Sequence, residues 1–272
     1  MIDREAVRRV ADRYSRDAEA FAAHWAPRLR RRAEELLARL PIGDAGLVLD
    51  VGTGTGGLLP ALRAAAPRAV VVGTDVSEGM LRLARRDAGG PLALMDAHQL
   101  GLRGACADVA VLSFVLHRLV DPGAALAEVG RVLRPGGVVG TVTWGHGRRS
   151  GAGRIWDEVL AAQGVASEPP TVDNHALVDQ PAKLRALALG AGLEPLQAWA
   201  SADEERHDLE GWLAFALGAG AGRRLDAAGR AVRQRCLSVA RARMASLPPE
   251  AFVVRSEVVY ALARRRPTGN NP

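Results

Sequence analysis

The chain has 272 residues, of which 48% are hydrophobic and 24% charged, enough apolar material for a buried core; this excludes a wholly disordered chain and a coiled coil. Lysine and arginine outnumber aspartate and glutamate by 36 to 30, which gives a formal net charge of +6. A basic balance favours a nucleic-acid partner, but Lys183 is the only lysine. The excess is therefore dispersed arginine, and composition leaves the partner open.

The termini and the cysteines narrow the class of protein further. The chain is charged from Asp3 onwards with no apolar segment behind, so we expect no secretory signal. The longest weakly polar runs, 109–116 and 212–222, are shorter than the roughly 18–20 apolar residues of a membrane-spanning helix. Cys106 and Cys236 stand alone and predict neither a disulfide framework nor a metal site. We expect a cytoplasmic protein without metal or membrane contact.

The predicted elements begin with two helices over residues 3–40, the second opened by Pro27. Short apolar runs then alternate with helical segments. The predicted strands are 47–51, 69–73, 92–95, 109–113 and 138–144, and the predicted helices are 58–66, 77–87 and 122–133, with Ser77 as an N-cap. Such alternation is typical of a parallel sheet covered by helices on both faces. The fold class is therefore doubly wound α/β.

Beyond residue 145 the alternation loosens. We predict helices over 154–163, 181–189, 209–217 and 223–244, strands over 196–200 and 253–263, and an irregular polar segment over 169–180. The amphipathic helices of 150–190 and 205–250 suit a cap over a pocket. Trp156, Trp212 and Phe215 are expected to line that pocket or to pack within the cap. The arginines of the second helix are expected to form a solvated face: Arg28, Arg30, Arg31 and Arg32.

The strongest motif is VLDVGTGTGG at residues 48–57, a predicted strand that runs into a glycine loop and a helix. Glycines let the backbone approach a ligand closely, and a helix start offers unpaired N–H groups. The loop matches both the dinucleotide pattern G-x-G-x-x-G and the pattern D-x-G-x-G-x-G. Either match alone is weak.

Three acidic residues at strand ends decide between these patterns. Asp50 precedes the loop, where it would repel a pyrophosphate and attract an ammonium group. Asp75 follows the second strand, where a carboxylate can accept both hydroxyls of a ribose, as NAD enzymes also do. Asp96 follows the third strand and is placed to accept from an adenine amino group. Amino acid, ribose and adenine are the three parts of S-adenosylmethionine.

With these residues the chain resembles the class I S-adenosylmethionine-dependent methyltransferases, in particular the type 11 group that includes the ubiquinone/menaquinone C-methyltransferases. The resemblance covers residues 47–144 and is carried by VLDVGTGTGG, VVGTDVSEGML, LMDAHQL, DVAVLSFVLHRLVDP and LRPGGVV. It implies a seven-stranded, mostly parallel Rossmann-like sheet with S-adenosylmethionine as cofactor. The implied cofactor-binding residues are Asp50, Gly52, Gly54, Gly56, Asp75, Val76, Met80, Asp96, Ala97, Ser113 and Phe114.

On this resemblance the chain divides into four parts. Residues 1–41 are N-terminal helices over the cofactor cleft, and residues 42–145 are the cofactor-binding core. Residues 146–263 hold the remaining strands with the helical cap, and residues 264–272 form a flexible tail.

Methyl transfer is an in-line displacement in which the protein mainly aligns the acceptor, and a general base helps when the acceptor is a hydroxyl or an acidic carbon. His117, just after the fourth strand, is the candidate catalytic base because histidine titrates near neutrality. A histidine that binds backbone groups at a helix start is the structural alternative. His146 and His175 are further candidates.

The expected acceptor is an oxygen, or a carbon or nitrogen, of a small apolar or aromatic metabolite. Nucleic acid is disfavoured, because the fourth strand ends in Ser113-Phe114-Val115-Leu116 and lacks the (N/D/S)-P-P-(Y/F/W) tetrad that grips a flipped base. The sequence leaves a homodimer as a possibility. The alternatives are an S-adenosylmethionine-binding cyclase, regulator or scaffold of the same fold, and an NAD(P)-dependent oxidoreductase, which Asp50 disfavours.

Overall fold

A seven-stranded sheet forms the centre of the computed structural model, which describes residues 2–148, 150–165 and 170–267. The strand order is β3-β2-β1-β4-β5-β7-β6. β1 to β5 are parallel, and β7 is antiparallel to both of its neighbours. This confirms the predicted fold class. The strands are β1 Leu47–Val51, β2 Val70–Asp75, β3 Leu92–Leu94, β4 Ala107–Ser113, β5 Leu133–Arg148, β6 Glu194–Glu205 and β7 Val254–Arg264.

The helices connect these strands and cover the sheet. They are α1 Arg4–His24, α2 Ala26–Leu37, α3 Leu59–Ala65, α4 Glu78–Asp87, α5 Pro122–Val132, α6 Gly151–Ala162, α7 His175–Val178, α8 Pro181–Gly190, α9 Leu209–Ala216, α10 Gly222–Ala228 and α11 Arg230–Met244. Local chemistry starts several of them. Ser77 caps α4 as predicted, since its hydroxyl accepts from the Met80 N–H, and Asp121 caps α5 with Pro122 in the first turn.

The elements follow the predicted order, with three differences after residue 145. The helix predicted over 223–244 is interrupted at Gly229, whose φ of 94° ends a right-handed helix, so that α10 and α11 are separate. The segment 169–180, described from residue 170, contains the short helix α7. β6 continues to Glu205, beyond its predicted end, because it pairs with the whole length of β7.

Three hydrophobic clusters hold the layers together. One face of the sheet packs against α5 and α8, and the opposite face packs against α2 and α3. The prediction that residues 181–190 belong to the cap is therefore wrong, since α8 covers the sheet. The third cluster, which we call the cap core, joins α6, α9, α10 and α11 and includes Trp156, Trp212, Leu225, Cys236 and Met244.

The arginines of α2 differ in their surroundings. Arg30 is exposed and pairs with Glu34 on its own helix, in line with a solvated face. Arg32 is only 6% exposed, pairs with Asp203, and donates to Glu205 at 2.8 Å. The prediction of a solvated face is wrong for Arg32, because helical periodicity carries no information about acids at the far end of β6.

The first residue of the predicted C-terminal tail, 264–272, belongs to a strand. Arg264 is the last residue of β7, and the Arg265 N–H donates to the Gly137 carbonyl at 2.9 Å. The remainder of the predicted tail, residues 268–272, lies outside the described residues. Within the described ranges, no helix combines the length and the apolar character needed to cross a bilayer.

Candidate functional site: a cavity at the strand ends

A cavity of about 850 Å³ lies at the carboxyl ends of β1 to β4. The strand order reverses between β1 and β4, and open α/β sheets bind their ligands at this point. α1 and the helices around residues 214–233 border the cavity on the other side. Its wall contains all but two of the predicted site residues: Gly52, Gly54, Asp75, Val76, Met80, Asp96, Ala97, Ser113, Phe114 and His117.

The glycine loop is fastened to the end of β2 by its backbone. The N–H groups of Gly52 and Thr53 both donate to the Thr74 carbonyl, at 2.7 and 2.8 Å. Gly52 has a φ of 74°, and a Cβ at this position would overlap the Val115 side chain. Only glycine therefore allows the loop to turn this closely past the end of β4.

Gly56 is the first predicted residue that lies away from the cavity wall. Its φ is 78°, and an added Cβ would stand 3.1 Å from the Ala84 Cβ and 3.0 Å from the Ala88 Cβ. The structure thus differs from the expectation that Gly56 lines the cavity. Its lack of a side chain serves the packing of the loop against α4.

Asp50 is the second predicted residue that lies away from the cavity wall. It lies behind the glycine loop and is only 1% exposed. Its Oδ2 accepts from the Thr53 hydroxyl at 2.6 Å, and its Oδ1 has no partner among the described residues. Burial raises the pKa of Asp50 to about 6; the Thr53 hydrogen bond opposes this rise and the nearby Asp75 charge adds to it. An unpaired buried carboxylate oxygen is costly, and an ammonium group bound at the loop would compensate it.

Asp75 faces the cavity and organises the backbone around it. Its Oδ2 accepts from the Gly54 N–H and its Oδ1 from the Ser77 N–H, both at 2.8 Å. Burial raises the pKa of Asp75, while these backbone hydrogen bonds oppose the rise. Each carboxylate oxygen has two lone pairs, so each can accept a second hydrogen bond from a ligand in the cavity.

Asp96 is fixed by His98, a residue that the sequence analysis missed. The Asp96 Oδ1 accepts from the His98 backbone at 2.9 Å and contacts the His98 Nδ1 at 2.6 Å. The Asp121 N–H donates to the His98 Nε2, so the Nδ1 carries the proton that Asp96 accepts. Burial would raise the pKa of Asp96, but the hydrogen bonds from His98 outweigh it and lower this pKa. Asp96 is thus an ionised acceptor at the cavity wall.

Aromatic side chains form the wall between the strand ends and the covering helices. Phe114 and Trp144 lie 4.7 Å apart between ring centroids, and Trp25 meets Trp144 edge to face at 6.3 Å. Phe114 has a φ of 57°, a left-handed conformation that is strained for an aromatic residue and concentrates at functional sites. Met80 lines the same cavity and also packs against Ala18 of α1.

His117 lies in a short 3₁₀ turn, Leu116–Arg118, directly after β4. Its Nδ1 is 3.3 Å from the Thr143 hydroxyl. Burial, with smaller contributions from the charges of Arg118 and His175, lowers the pKa of His117 to about 3. The expectation that this residue titrates near neutrality is therefore wrong, and its imidazole is neutral at pH 7.

A second cavity of about 290 Å³, which we call the side chamber, shares three residues with the main cavity. These are His117, Arg118 and Trp144; the side chamber is completed by Gly145, Gly147, Asp173, His175 and Ser256. The His175 Nε2 donates to the Gly145 carbonyl at 3.1 Å. His146, the remaining candidate base, is exposed and lies on the wall of neither cavity.

Residues far apart in the sequence complete the main cavity. α1 contributes Tyr14, Phe21 and His24, and Leu217 and Gly218 come from the π-helical segment Leu217–Ala221. No sequence motif marks these positions. Trp156, Trp212 and Phe215, predicted as pocket or packing residues, lie outside both cavities and pack in and beside the cap core. No cluster of three or more metal-ligating side chains occurs in the described part of the chain.

Comparisons with known proteins agree with this geometry. Residues 49–140 match the family model of a methyltransferase domain. This likeness to a methyltransferase domain covers about a third of the chain. It is similar to the ubiquinone/menaquinone biosynthesis C-methyltransferase of Syntrophotalea carbinolica, with 38% identity over 113 residues, which cover 40% of this chain and 48% of that protein.

The chain is similar to further methyltransferases. The malonyl-[acyl-carrier protein] O-methyltransferase of Geobacter sulfurreducens is 32% identical over 154 residues, covering 54% of this chain and 56% of the relative. The chain thus spans about half the length of the curated relatives it matches. The crystal structure of the [4+2]-cyclase SpnF is also similar, with a TM-score of 0.54 and 21% sequence identity, covering 88% of this chain and 81% of that chain. This likeness shows the fold alone.

Proposed function

We propose that this protein is an S-adenosylmethionine-dependent methyltransferase that acts on an oxygen, carbon or nitrogen atom of a small molecule with an apolar or aromatic body. The observation that carries this proposal is the cavity at the ends of β1 to β4, where Asp75, Asp96 and the glycine loop share one wall. The dinucleotide alternative is weaker, because the buried Asp50 lies directly behind the loop that would receive a pyrophosphate.

The residues present fit the cofactor. The unpaired Oδ1 of Asp50 suits an ammonium group, and the open acceptor positions of Asp75 suit the ribose hydroxyls. Asp96 and the Ala97 backbone would hold the adenine edge, with Val76 and Met80 on either side of the ring. Gly52 and Gly54 would border the methionine part, and Ser113 and Phe114 would lie near the sulfur.

S-adenosylmethionine, when bound, supplies a methyl group that its positively charged sulfur makes electrophilic. The protein's share of the chemistry is then alignment of the acceptor and exclusion of water. His117 is neutral, and the structure records no hydrogen bond between its Nε2 and any described residue. We assign to His117 a hydrogen bond that orients the acceptor, in place of a base that titrates near pH 7.

The identity of the methylated atom is not decided by likeness, because the relatives include both a C-methyltransferase and an O-methyltransferase by name. Phe114, Trp144 and Trp25 support an acceptor with an apolar or aromatic body. The exclusion of nucleic acid, the cytoplasmic location and a homodimer stay predictions from the sequence.

The direct test is transfer of an isotope-labelled methyl group from S-adenosylmethionine to a panel of phenols, quinols, amines and carboxylic acids. We expect label in at least one product class, with inhibition by S-adenosylhomocysteine. Cofactor binding without transfer across the panel would instead favour a binding protein, a cyclase or a scaffold of the same fold.

The role of His117 is tested by His117→Ala. We expect turnover to fall while affinity for S-adenosylhomocysteine stays within about twofold, because the lost hydrogen bond concerns the acceptor. His117→Asn, which keeps a hydrogen-bonding group, should retain more activity than the alanine variant. An unchanged rate in His117→Ala would remove this residue from the catalytic site.

A further inference from the structure

Arginines outnumber acids on the wall of the main cavity once the two acids assigned to the cofactor, Asp75 and Asp96, are set aside. Only Asp17 and Asp226 then remain as acids on its wall. Against these two stand five arginines on the same wall: Arg13, Arg16, Arg118, Arg223 and Arg233. The part of the cavity left for the acceptor is therefore positively charged.

The two remaining acids of this wall, Asp17 and Asp226, already have arginine partners. Asp17 pairs with Arg223, and its Oδ1 also lies 3.8 Å from Arg16. Asp226 pairs with Arg233 at 2.7 Å. These pairs balance the charges contributed by α10 and α11 and part of those from α1. Arg118 takes part in none of these pairs.

Arg118 lies on the walls of both the main cavity and the side chamber. Its Nη1 donates to the Val172 carbonyl at 3.1 Å. The facing acid, Asp173, stands 3.7 Å away, with its side chain 52% exposed and that of Arg118 32% exposed. A guanidinium has five N–H donors in a planar fork, and a half-exposed carboxylate at this distance compensates its charge only weakly.

The surroundings of this guanidinium are apolar and aromatic. Trp144 lines both cavities with it, and Phe114 and Val120 lie on the main wall. A partly buried cation within such a wall is suited to a ligand that joins an anionic head to an apolar body, since a guanidinium binds a carboxylate through two parallel hydrogen bonds.

We propose that the methyl acceptor is an organic acid with an apolar or aromatic body, whose carboxylate binds to Arg118. This inference rests on the proposed function and names its substrate class. A cationic amine is disfavoured, because it would meet Arg118 and the other arginines of this wall, whereas those arginines would attract an anion. A neutral phenol or amide of the same shape would fill the aromatic wall but offer the guanidinium no negative charge.

The test measures binding in the presence of saturating S-adenosylhomocysteine, by calorimetric titration of the full chain with matched probes. The pairs are phenylacetate with phenylacetamide, and cinnamate with cinnamamide; each pair shares one body and differs in charge. Arg118→Gln removes the charge, and Arg118→Lys keeps it without the planar fork. Arg68→Gln is the control, because Arg68 is an exposed arginine that pairs with Asp44, distant from both cavities.

We expect at least one acid to bind about tenfold or more tightly than its amide. Arg118→Gln should abolish this preference, Arg118→Lys should keep part of it, and Arg68→Gln should keep all of it. Equal binding of both acids and their amides, or an undiminished preference in Arg118→Gln, would overturn the inference. The S-adenosylhomocysteine titration and the methyl-transfer assay of the same samples separate this result from failure of the proposed function, which would appear as no cofactor binding or as cofactor binding without transfer.

Discussion

The two sides of the main cavity are built in different ways. The cofactor side comes from one continuous stretch, residues 50–97 with the end of β4, whose turns are fixed by backbone hydrogen bonds to parallel strands. The proposed acceptor side is assembled from α1, the turn Leu116–Arg118, the residues near 170 and the segment 214–233. These segments are held by ion pairs such as Arg223 with Asp17 and by the separate cap core.

This difference determines which side chains can be substituted without changing the cofactor loop. On the cofactor side, Gly52 and Asp75 fix the backbone of the loop and are also proposed to contact the ligand, so a substitution should affect loop geometry and binding together. On the acceptor side, the residues of 214–233 project from helices that pack through the cap core, whereas α1 packs against α4 through Ala18. The residues of 214–233 can therefore change their side chains, and with them the substrate, without disturbing the cofactor loop.

The largest expected effect comes from Leu225→Ala in the cap core, where Leu225 is fully buried. Truncation of a buried leucine costs about 2–5 kcal/mol of the free energy of unfolding, measured by denaturant titration. We expect acceptor methylation to fall while affinity for S-adenosylhomocysteine is kept. Leu112→Ala, at an equally buried position in β4, is the matched variant and should weaken cofactor binding as well. If Leu225→Ala weakened cofactor binding as much as Leu112→Ala does, the two sides would not be separable.

A smaller effect is expected from Asp75→Ala on the cofactor side. Loss of hydrogen bonds to a charged group should weaken binding of S-adenosylhomocysteine by about 1.5–3 kcal/mol, as measured by calorimetry. Asp87→Ala is the control, since Asp87 is exposed at the end of α4 and pairs with Arg86. Unchanged affinity in Asp75→Ala would refute its assignment to the ribose.

The smallest effect concerns pH and Asp50. Because burial raises the pKa of Asp50 to about 6, the carboxyl is ionised above that pH and protonated below it. Only the ionised form attracts an ammonium group, so affinity for S-adenosylmethionine should fall as the pH drops from about 7 to about 5, by at most about tenfold per pH unit.

Two controls isolate that pH dependence. Methylthioadenosine keeps the ribose and adenine but lacks the ammonium group, so its affinity should vary much less over the same range. Asp50→Asn should flatten the profile for S-adenosylmethionine. A profile that is the same for both ligands would remove Asp50 as the partner of the ammonium group.

The sequence predicts the two sides of the cavity unequally, for a physical reason. β1 matches its predicted bounds, and the strand-end acids Asp75 and Asp96 line one cavity, because parallel strands bring their carboxyl ends to one edge of a sheet. His98 was missed although it stands within LMDAHQL, since its role depends on the Asp121 N–H of another segment.

Contacts between residues far apart in the chain were not predicted from the sequence. The burial of Arg32 depends on acids at the end of β6, and the low pKa of His117 depends on its burial between elements that periodicity does not place together. The cap residues that reach the cavity lie in α9, a π-helical segment, α10 and α11. Helical periodicity had joined α10 to α11. Local pattern thus predicts where the cofactor side lies, and on the acceptor side it gives His117 but not Arg118 or the cap residues.

The central claim, that the cavity at the ends of β1 to β4 binds S-adenosylmethionine, is tested most directly by calorimetric titration of the full chain with S-adenosylhomocysteine and, in parallel, with NADH. We predict saturable binding of one S-adenosylhomocysteine per chain and no binding of NADH. Binding of NADH without binding of S-adenosylhomocysteine would contradict the account.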